Sequence, residues 1–482
     1  MAGSPVSEKC LRMIRTRWLA ILMVFPIDGM LLAQSRPPER PAATGSVAKD
    51  SSVTALGAPI LPWKPVKPAV VRTLAQITFI NLAAAVINTM ARDITPASPS
   101  TWWTNLQGGW NWDGNDIRVN ELEHPWAGAG YFNSGRGNGL SFWGSAPMAL
   151  TGSLMWELFG ESKPPAFNDV LSTSLTGIGM GEPLYLLSQL VLDETASGLD
   201  RFWREAVVFL FNPGLELSRL SRGQSWTRRQ NPPGRRPEVV MGGMAIGPWQ
   251  YQWADGGERL RTAVLSMRVE YGDAFAAGRA APFGFFRAGV EFMPSSPDGL
   301  GAVNARGLLT RFDEGNGNEG HLGGLFMDFD YRRDGAVEFA VQSFGVGRLS
   351  RTALGSDFRL RTDVSAEAVP ILAVQDQYTG TTMKRRYDFG AGAGARALAE
   401  LEYRGHRVLS AGGRAYWAPT LNGASDTKLV QFVDVEASLP VVLGLSLKAA
   451  YGLYLQRSTY DSRPSEIKRL SSLSLFLSTG RR

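Results

Sequence analysis

Residues 357–368 read Asp357-Phe358-Arg359-Leu360-Arg361-Thr362-Asp363-Val364-Ser365-Ala366-Glu367-Ala368. The odd positions are ionic or polar, and the even positions carry no charge. Successive strand side chains point to opposite faces, so this is a strand with one ionic and one charge-free face. The same period of two recurs from Val239 to Ser478. Between Tyr387 and Tyr403 the odd row holds Tyr387, Phe389, Ala391, Ala393, Ala395, Ala397, Ala399, Leu401 and Tyr403. It opposes Arg386, Asp388, Arg396, Glu400, Glu402 and Arg404. Leu443, Leu445, Leu447, Ala449, Tyr451, Leu453 and Leu455 make another apolar row against Ser446, Lys448 and Gln456. Small apolar residues between aromatic ends suit a lipid-facing band with interfacial girdles. Asp334-Gly335 between two alternating runs predicts a hairpin. About twelve such runs follow one another, an even number as single-chain bacterial barrels use. The inward charges (Arg359, Arg361, Asp363, Glu367, Asp388, Arg396, Asp434, Glu436, Lys448) are of both signs. They predict a lumen partly filled by salt bridges and water rather than an ion-selective pore.

Composition is consistent with that reading. A chain of 482 residues favours two units. At 44% hydrophobic residues it is too polar for a bundle of many membrane helices. A barrel escapes this test, because only every second residue must be apolar. The net charge is +6, of which residues 1–33 contribute +2 (Lys9, Arg12, Arg15 and Arg17 against Glu8 and Asp28), leaving +4. No basic cluster is interleaved with aromatics, so nucleic acid is not an expected partner. Lys9–Arg17 is a basic start, Trp18–Phe25 a short apolar core, and Leu31-Leu32-Ala33-Gln34 a cleavage site, together a secretory leader. The single cysteine, Cys10, precedes the apolar core, so the exported chain is expected to have neither disulfide nor lipoprotein anchor.

The fold class expected is an α+β membrane protein: an N-terminal helical unit followed by a C-terminal antiparallel transmembrane barrel of about twelve strands. The divisions are 1–34 signal peptide, 35–68 linker rich in Pro, Ala and Ser, 69–223 helical domain, 224–236 basic linker and 237–482 barrel. Val70–Arg92 is apolar and long enough to cross a membrane. Such a span would tend to stop an exported protein in the inner membrane, so a buried helix is expected. Trp102–Gly139 reads as irregular, and helices are expected over Phe142–Phe159, Asn168–Leu192 and Asp200–Leu220, with Asn168 or Asp169 as a cap.

The densest chemistry lies between Asn120 and Glu182. Ser153, Glu157 and Glu161 recur every fourth residue, which places them on one helical face. Asp169, Ser172, Thr173 and Thr176 form a second polar stripe. Acidic stripes in apolar helices need a basic partner, a cation, a shared proton or a polar substrate. Three readings compete. One is a buried network satisfied by Arg136 and backbone amides. Another is a catalytic site of His124, Glu157, Glu161, Asp169 and Glu182, with Tyr131, Arg136, Asn138, Trp143, Ser153 and Thr173 binding substrate. The third is a metal held by His124, Glu157 and Glu161. Paired Glu-x-x-His elements are missing and a lone histidine suits zinc poorly, so neither metal nor other cofactor is expected.

The run His124-Pro125, Gly128, Tyr131, Arg136, Asn138-Gly139, Trp143, Ser145, Gly152-Ser153, Trp156-Glu157, Glu161, Asn168-Asp169, Thr173, Gly177 and Gly181-Glu182 resembles a family of Gram-negative envelope proteins catalogued as a domain of unknown function. The likeness covers roughly Asn81 to Leu220. It implies an outer-membrane setting, with a helical domain joined to a barrel, and supplies no reaction. The expected location is the cell outer membrane, the helical domain facing the periplasm or the barrel lumen as a plug or platform. Expected partners are outer-membrane lipid and the barrel-assembly machinery. The leading function is envelope-associated handling or transport of a small polar or amphiphilic molecule. The alternative is a membrane-surface hydrolase or transferase acting on lipid or glycan.

Overall fold

The alternating half of the chain folds into strands, as its period requires. The computed structural model describes residues 60–481 apart from 93–94, 255, 258, 277–280, 313–319, 383–384 and 443; the leader and the linker up to residue 59 lie outside the described residues. The strands are β1 (Val240–Trp253), β2 (Arg259–Tyr271), β3 (Phe286–Phe292), β4 (Leu300–Arg311), β5 (His321–Arg333), β6 (Glu338–Leu354), β7 (Phe358–Gln375), β8 (Tyr387–Tyr403), β9 (His406–Asn422), β10 (Thr427–Val442), β11 (Leu445–Tyr460) and β12 (Arg463–Arg481). Each pairs antiparallel with its neighbours in sequence, and β1 pairs with β12, which closes a twelve-stranded barrel. Closure removes the edges an open sheet would leave unpaired. The Asp334-Gly335 turn forms as expected: Gly335 sits at φ 91°, and Asp334 Oδ1 accepts from the Ala336 and Val337 amides at 3.0 and 2.9 Å.

Ion pairs between strands that are not neighbours identify the inner face. Arg306 on β4 reaches Asp363 on β7 through Nε and Nη2 at 2.9 and 2.8 Å. Arg287 on β3 meets Glu400 on β8 at 2.8 Å, and Arg361 on β7 meets Glu270 on β2 at 2.7 Å. Arg414 on β9 pairs with Asp330 on β5. Toward the end with the β5–β6 turn the filling turns apolar, Phe339 on β6 meeting Phe432 on β10 at 4.8 Å between ring centres. The lumen is therefore bridged from wall to wall by its own side chains, as the mixed inward charges predicted.

The outer face is apolar. Ile246, Val364, Val433, Val435, Leu439, Leu447, Leu453, Leu473, Leu475 and Leu477 are exposed on β1, β7, β10, β11 and β12. The row Ala393, Ala395, Ala397 and Ala399 of β8 is exposed too. A closed antiparallel barrel with charges inside and this coat outside has the build of a transmembrane β-barrel.

Among the described residues, eight helices precede it: α1 (Val70–Arg92), α2 (Pro99–Gln107), α3 (His124–Gly137), α4 (Phe142–Met155), α5 (Phe167–Leu171), α6 (Gly177–Val191), α7 (Gly198–Phe211) and α8 (Pro213–Ser221). Three π-helical turns, Val119–Glu123, Trp156–Gly160 and Ser172–Thr176, adjoin α3, α4 and α6. Helix α3 corrects the expectation of an irregular stretch up to Gly139. Its glycines disfavour an isolated helix, but they let three neighbours approach closely: a Cβ on Gly128 would lie 1.8 Å from Thr173 O, one on Gly135 2.8 Å from Ser145 Oγ and one on Gly137 2.6 Å from Ser218 Oγ. Tertiary packing overrides propensity here. The described end of the linker, from Ile60 on, is tied to the helical unit, where Leu61 N donates to Arg228 O at 3.0 Å and Gln230 N to Leu61 O at 2.9 Å.

The helices meet the barrel on its outward side chains. Ala129, Met180, Ile117 and Trp112 pack with Phe329, Tyr331, Ala340, Ala373, Tyr387 and Phe389. Phe132, Phe142, Ile178 and Leu190 pack with Tyr271, Phe286, Leu309 and Met327. Phe329 and Tyr331 alternate with the inward Asp328 and Asp330, so they point away from the lumen. The contact thus runs along the outer wall of β2–β8, from the end with the β5–β6 turn to the end with the β2–β3 loop. Of the two expected placements of the helical domain, facing the periplasm or in the lumen, these contacts do not give the lumen. Tyr387 and Phe389, expected in a lipid girdle, lie under the helices instead. Helix α1 also departs from expectation: Thr73, Ile77 and Asn81 are its buried residues, while Val71 and Met90 are 82% exposed.

Candidate functional site

The polar residues singled out in the sequence collect where the three π-helical turns come together. A π turn inserts one residue into a helix, which rotates the following side chains and frees a backbone group. Val119–Glu123 carries Asn120 and Glu121, Trp156–Gly160 carries Glu157, and Ser172–Thr176 carries Ser172 and Thr173. Glu121 Oε1 accepts from Ser172 Oγ at 2.8 Å. Glu157 Oε2 accepts from the Ala166 amide at 2.8 Å, and its Oε1 is buried without a hydrogen-bond donor. Asp169 Oδ1 accepts from Asn168 Nδ2 at 2.6 Å. His124 Nε2 stands 3.9 Å from Asp169 Oδ2, an ion-pair distance rather than a hydrogen bond. Asn120 Nδ2 donates to the Tyr387 hydroxyl at 2.8 Å, which ties the cluster to the outer wall.

The π turn at Trp156–Gly160 breaks the expected four-residue stripe. Glu161 lies beyond it in extended conformation and accepts from Trp156 Nε1 at 2.9 Å. Glu182 does not join the cluster: Arg136 holds it in a two-pronged pair, Nε to Oε2 at 2.8 Å and Nη2 to Oε1 at 3.0 Å. Arg136 is thereby taken from Glu157 and Asp169, for which it had been the nearest candidate cation. Ala166, not Asn168 or Asp169, precedes α5, and Asn168 Oδ1 accepts from the Asp113 amide at 2.8 Å. Tyr131 donates to Asn81, and Asn138 Nδ2 donates to Gln76 Oε1 at 3.1 Å, so both join helices. Thr173 is packed against Gly128. The Ser153 hydroxyl is buried without a partner, whereas Trp143 is 60% exposed. Asp113 and Glu121, both acting on Asp169, had not been assigned to the site. Glu121 lies inside the dense segment and Asp113 just before it, but neither falls on the two polar stripes.

With so many carboxyls buried together, protons replace counter-ions. Burial pushes Glu121 up to about 8 against the opposing Ser172 hydroxyl. Burial, then Glu161 and Asp113, pushes Glu157 up to about 8. Burial, then Glu157, Asp113, Glu161 and Glu121, raises Asp169. Glu182 is pushed up to about 7 by burial, with Arg136 opposing. The cluster can therefore hold, donate or accept protons near neutrality. It also makes the helical unit pH-sensitive with a definite sign. A carboxyl whose folded value lies above its unfolded one adds stability at low pH, and that stability is lost as pH rises through the folded value. The melting temperature of the helices should fall as pH rises from about 4.5 to 8. Glu121→Gln should flatten that decline, by up to about 1.4 kcal/mol per pH unit between the two values. Thermal melts at 222 nm across pH check it, and identical pH profiles for the two proteins contradict it.

The class defined by fold and site is a transmembrane β-barrel carrying a helical unit with a buried carboxyl cluster on its outer wall. Residues 109–214, which contain all three π turns, match the family described as "Domain of unknown function (DUF3943)". No curated protein matches the chain. Among solved structures, an outer membrane channel from Pseudomonas putida F1 is similar at 12% identity and TM-score 0.25, over 52% of this chain and 99% of that one. An anion-selective porin from Comamonas acidovorans is similar at 7% identity and TM-score 0.23, over 50% of this chain and 99% of that one. Likeness at this level adds nothing about cargo or chemistry.

Proposed function

We propose that this is an outer-membrane barrel that holds a small polar or amphiphilic molecule at one mouth and does not serve as an open diffusion pore. The apolar outer coat supports the location. One observation carries the function: a cavity of about 520 Å³ at the end where β1 begins. It is lined by Arg287, Arg359 and Arg361 beside Glu270, Glu400 and Glu402, with apolar Leu190, Val240 and Phe275. Charges of both signs next to apolar walls suit a zwitterionic or amphiphilic guest. Beneath it the cross-lumen pairs of Arg306 and Arg414 bar free passage, so transport would require those pairs to rearrange. Leu190 is part of both the cavity wall and α6, which supports a platform role for the helical unit at that mouth.

A second reading, an enzyme acting at the membrane surface, is favoured by the donor-less Glu157 Oε1 and by the approach of His124 to Asp169. One experiment separates the two. Small molecules and lipids retained by the purified protein are extracted and compared by mass spectrometry for wild type, Arg361→Ser and Glu157→Gln. The mouth-cavity reading expects a retained molecule to be lost from Arg361→Ser alone. Loss or chemical change in Glu157→Gln alone favours the enzyme, and identical extracts from all three count against both.

A further inference from the structure

Helix α1 turns much of its apolar surface outward. Its packed side carries polar residues beside the buried Ile77: Gln76 donates to Gly214 O at 2.6 Å, Asn81 donates to Gly152 O at 3.2 Å, and Thr73 is buried. Its other face presents Val71, Phe79, Leu82, Val86, Ile87 and Met90, all exposed. Water-soluble helices show the reverse arrangement. The apolar stretch Val70–Met90 is 21 residues long. At 1.5 Å per residue that is about 31 Å, against roughly 30 Å for the hydrocarbon core of a bilayer.

The surroundings of α1 agree. The unit it belongs to covers part of the barrel's outer wall, and the uncovered part is the apolar coat on β7–β12 and β1. A barrel in a bilayer meets lipid around its whole circumference, so a unit covering one sector at that height must itself face lipid. Trp63 precedes α1, and Trp102 and Trp103 follow it, all partly exposed, as side chains at the two interfaces of a bilayer would be. At the first end Lys64, Lys67, Arg72, Arg222 and Arg229 line a hollow of about 480 Å³, a basic collar at the level expected for lipid phosphates. Inside the unit, helices approach through small residues, Gly128 against Thr173 and Gly177 against Gly128. Helices packed within lipid associate this way.

We propose that α1 lies in the same bilayer as the barrel, with its exposed face against acyl chains. This rests on the outer-membrane reading above. In a Cys10→Ser background, single cysteines at Leu82, Ile87 and, on the barrel, Val435 would carry an environment-sensitive fluorophore. The full-length protein is reconstituted in phosphatidylcholine vesicles, with brominated acyl chains or aqueous iodide as quencher. All three sites should be quenched by brominated lipid to similar extents and be shielded from iodide. Iodide quenching at Leu82 and Ile87, with Val435 still quenched by brominated lipid, overturns the proposal and leaves the barrel reading standing. Iodide quenching at Val435 as well overturns both.

Discussion

Arg306→Ala should be the most damaging single change in the barrel wall. The Arg306 guanidinium is buried between Asp363 at 2.8 Å and Asp328 at 2.5 Å, with Glu367 at 3.7 Å. Removing it leaves three carboxylates in the lumen without that cation. Breaking a buried pair by deleting one partner costs about 3–5 kcal/mol, chiefly because the remaining charge is stranded. Arg396, which also contacts Asp328 at 3.2 Å and Glu367 at 3.4 Å, limits the damage but cannot reach around Asp363 in the same fork. Arg306→Lys should fall between the two, since a point charge replaces a planar two-pronged donor. The measurement is the denaturant midpoint of the folded, heat-modifiable form in detergent or vesicles. A midpoint unchanged by Arg306→Ala would mean that the bridges across the lumen are not formed.

Gly128→Ala should disrupt the helical unit although alanine is the better helix former. The added carbon would stand 1.8 Å from Thr173 O and 2.8 Å from its carbonyl carbon, both backbone atoms that no rotamer change can move. The π turn at Ser172–Thr176 would have to shift away from α3, and Glu121 with it, through its bond to Ser172. Overpacking of this kind costs about 3 kcal/mol or more, at the upper end for inserted groups. Gly130, two residues along the same helix, meets nothing within 4 Å. Gly130→Ala should therefore gain up to about 1 kcal/mol from helix propensity alone. Helical melting at 222 nm and protease sensitivity of the unit would show the contrast. Equal behaviour of the two variants would contradict the close approach of α3 to the π turn.

The barrel was legible because period-two alternation is local: Arg359, Arg361 and Asp363 need no partner in view to be placed opposite Leu360, Thr362 and Val364. Which charge each would meet was not legible, since Arg306 and Asp363 are joined by closure of the barrel and not by sequence proximity. Alternation also cannot say what lies against an outward residue. Tyr387 and Ala395 occupy the same row, yet one is covered by helices and the other is exposed. In the helical unit the carboxyls were visible as residue types, but their arrangement was not. Each π turn resets the helical period, so Glu161 leaves the face of Glu157, and Arg136 is drawn to Glu182. Asn81, a polar residue within the apolar run of α1, is part of its packing face.

Conductance of the intact protein in a planar bilayer tests most directly the claim that the barrel is sealed by its own side chains. Wild-type protein should carry no steady ion current, and current should appear in Arg306→Ala, where the bridge from β4 to β7 is gone. A steady ohmic current through the wild type, unaltered by that substitution, would contradict it.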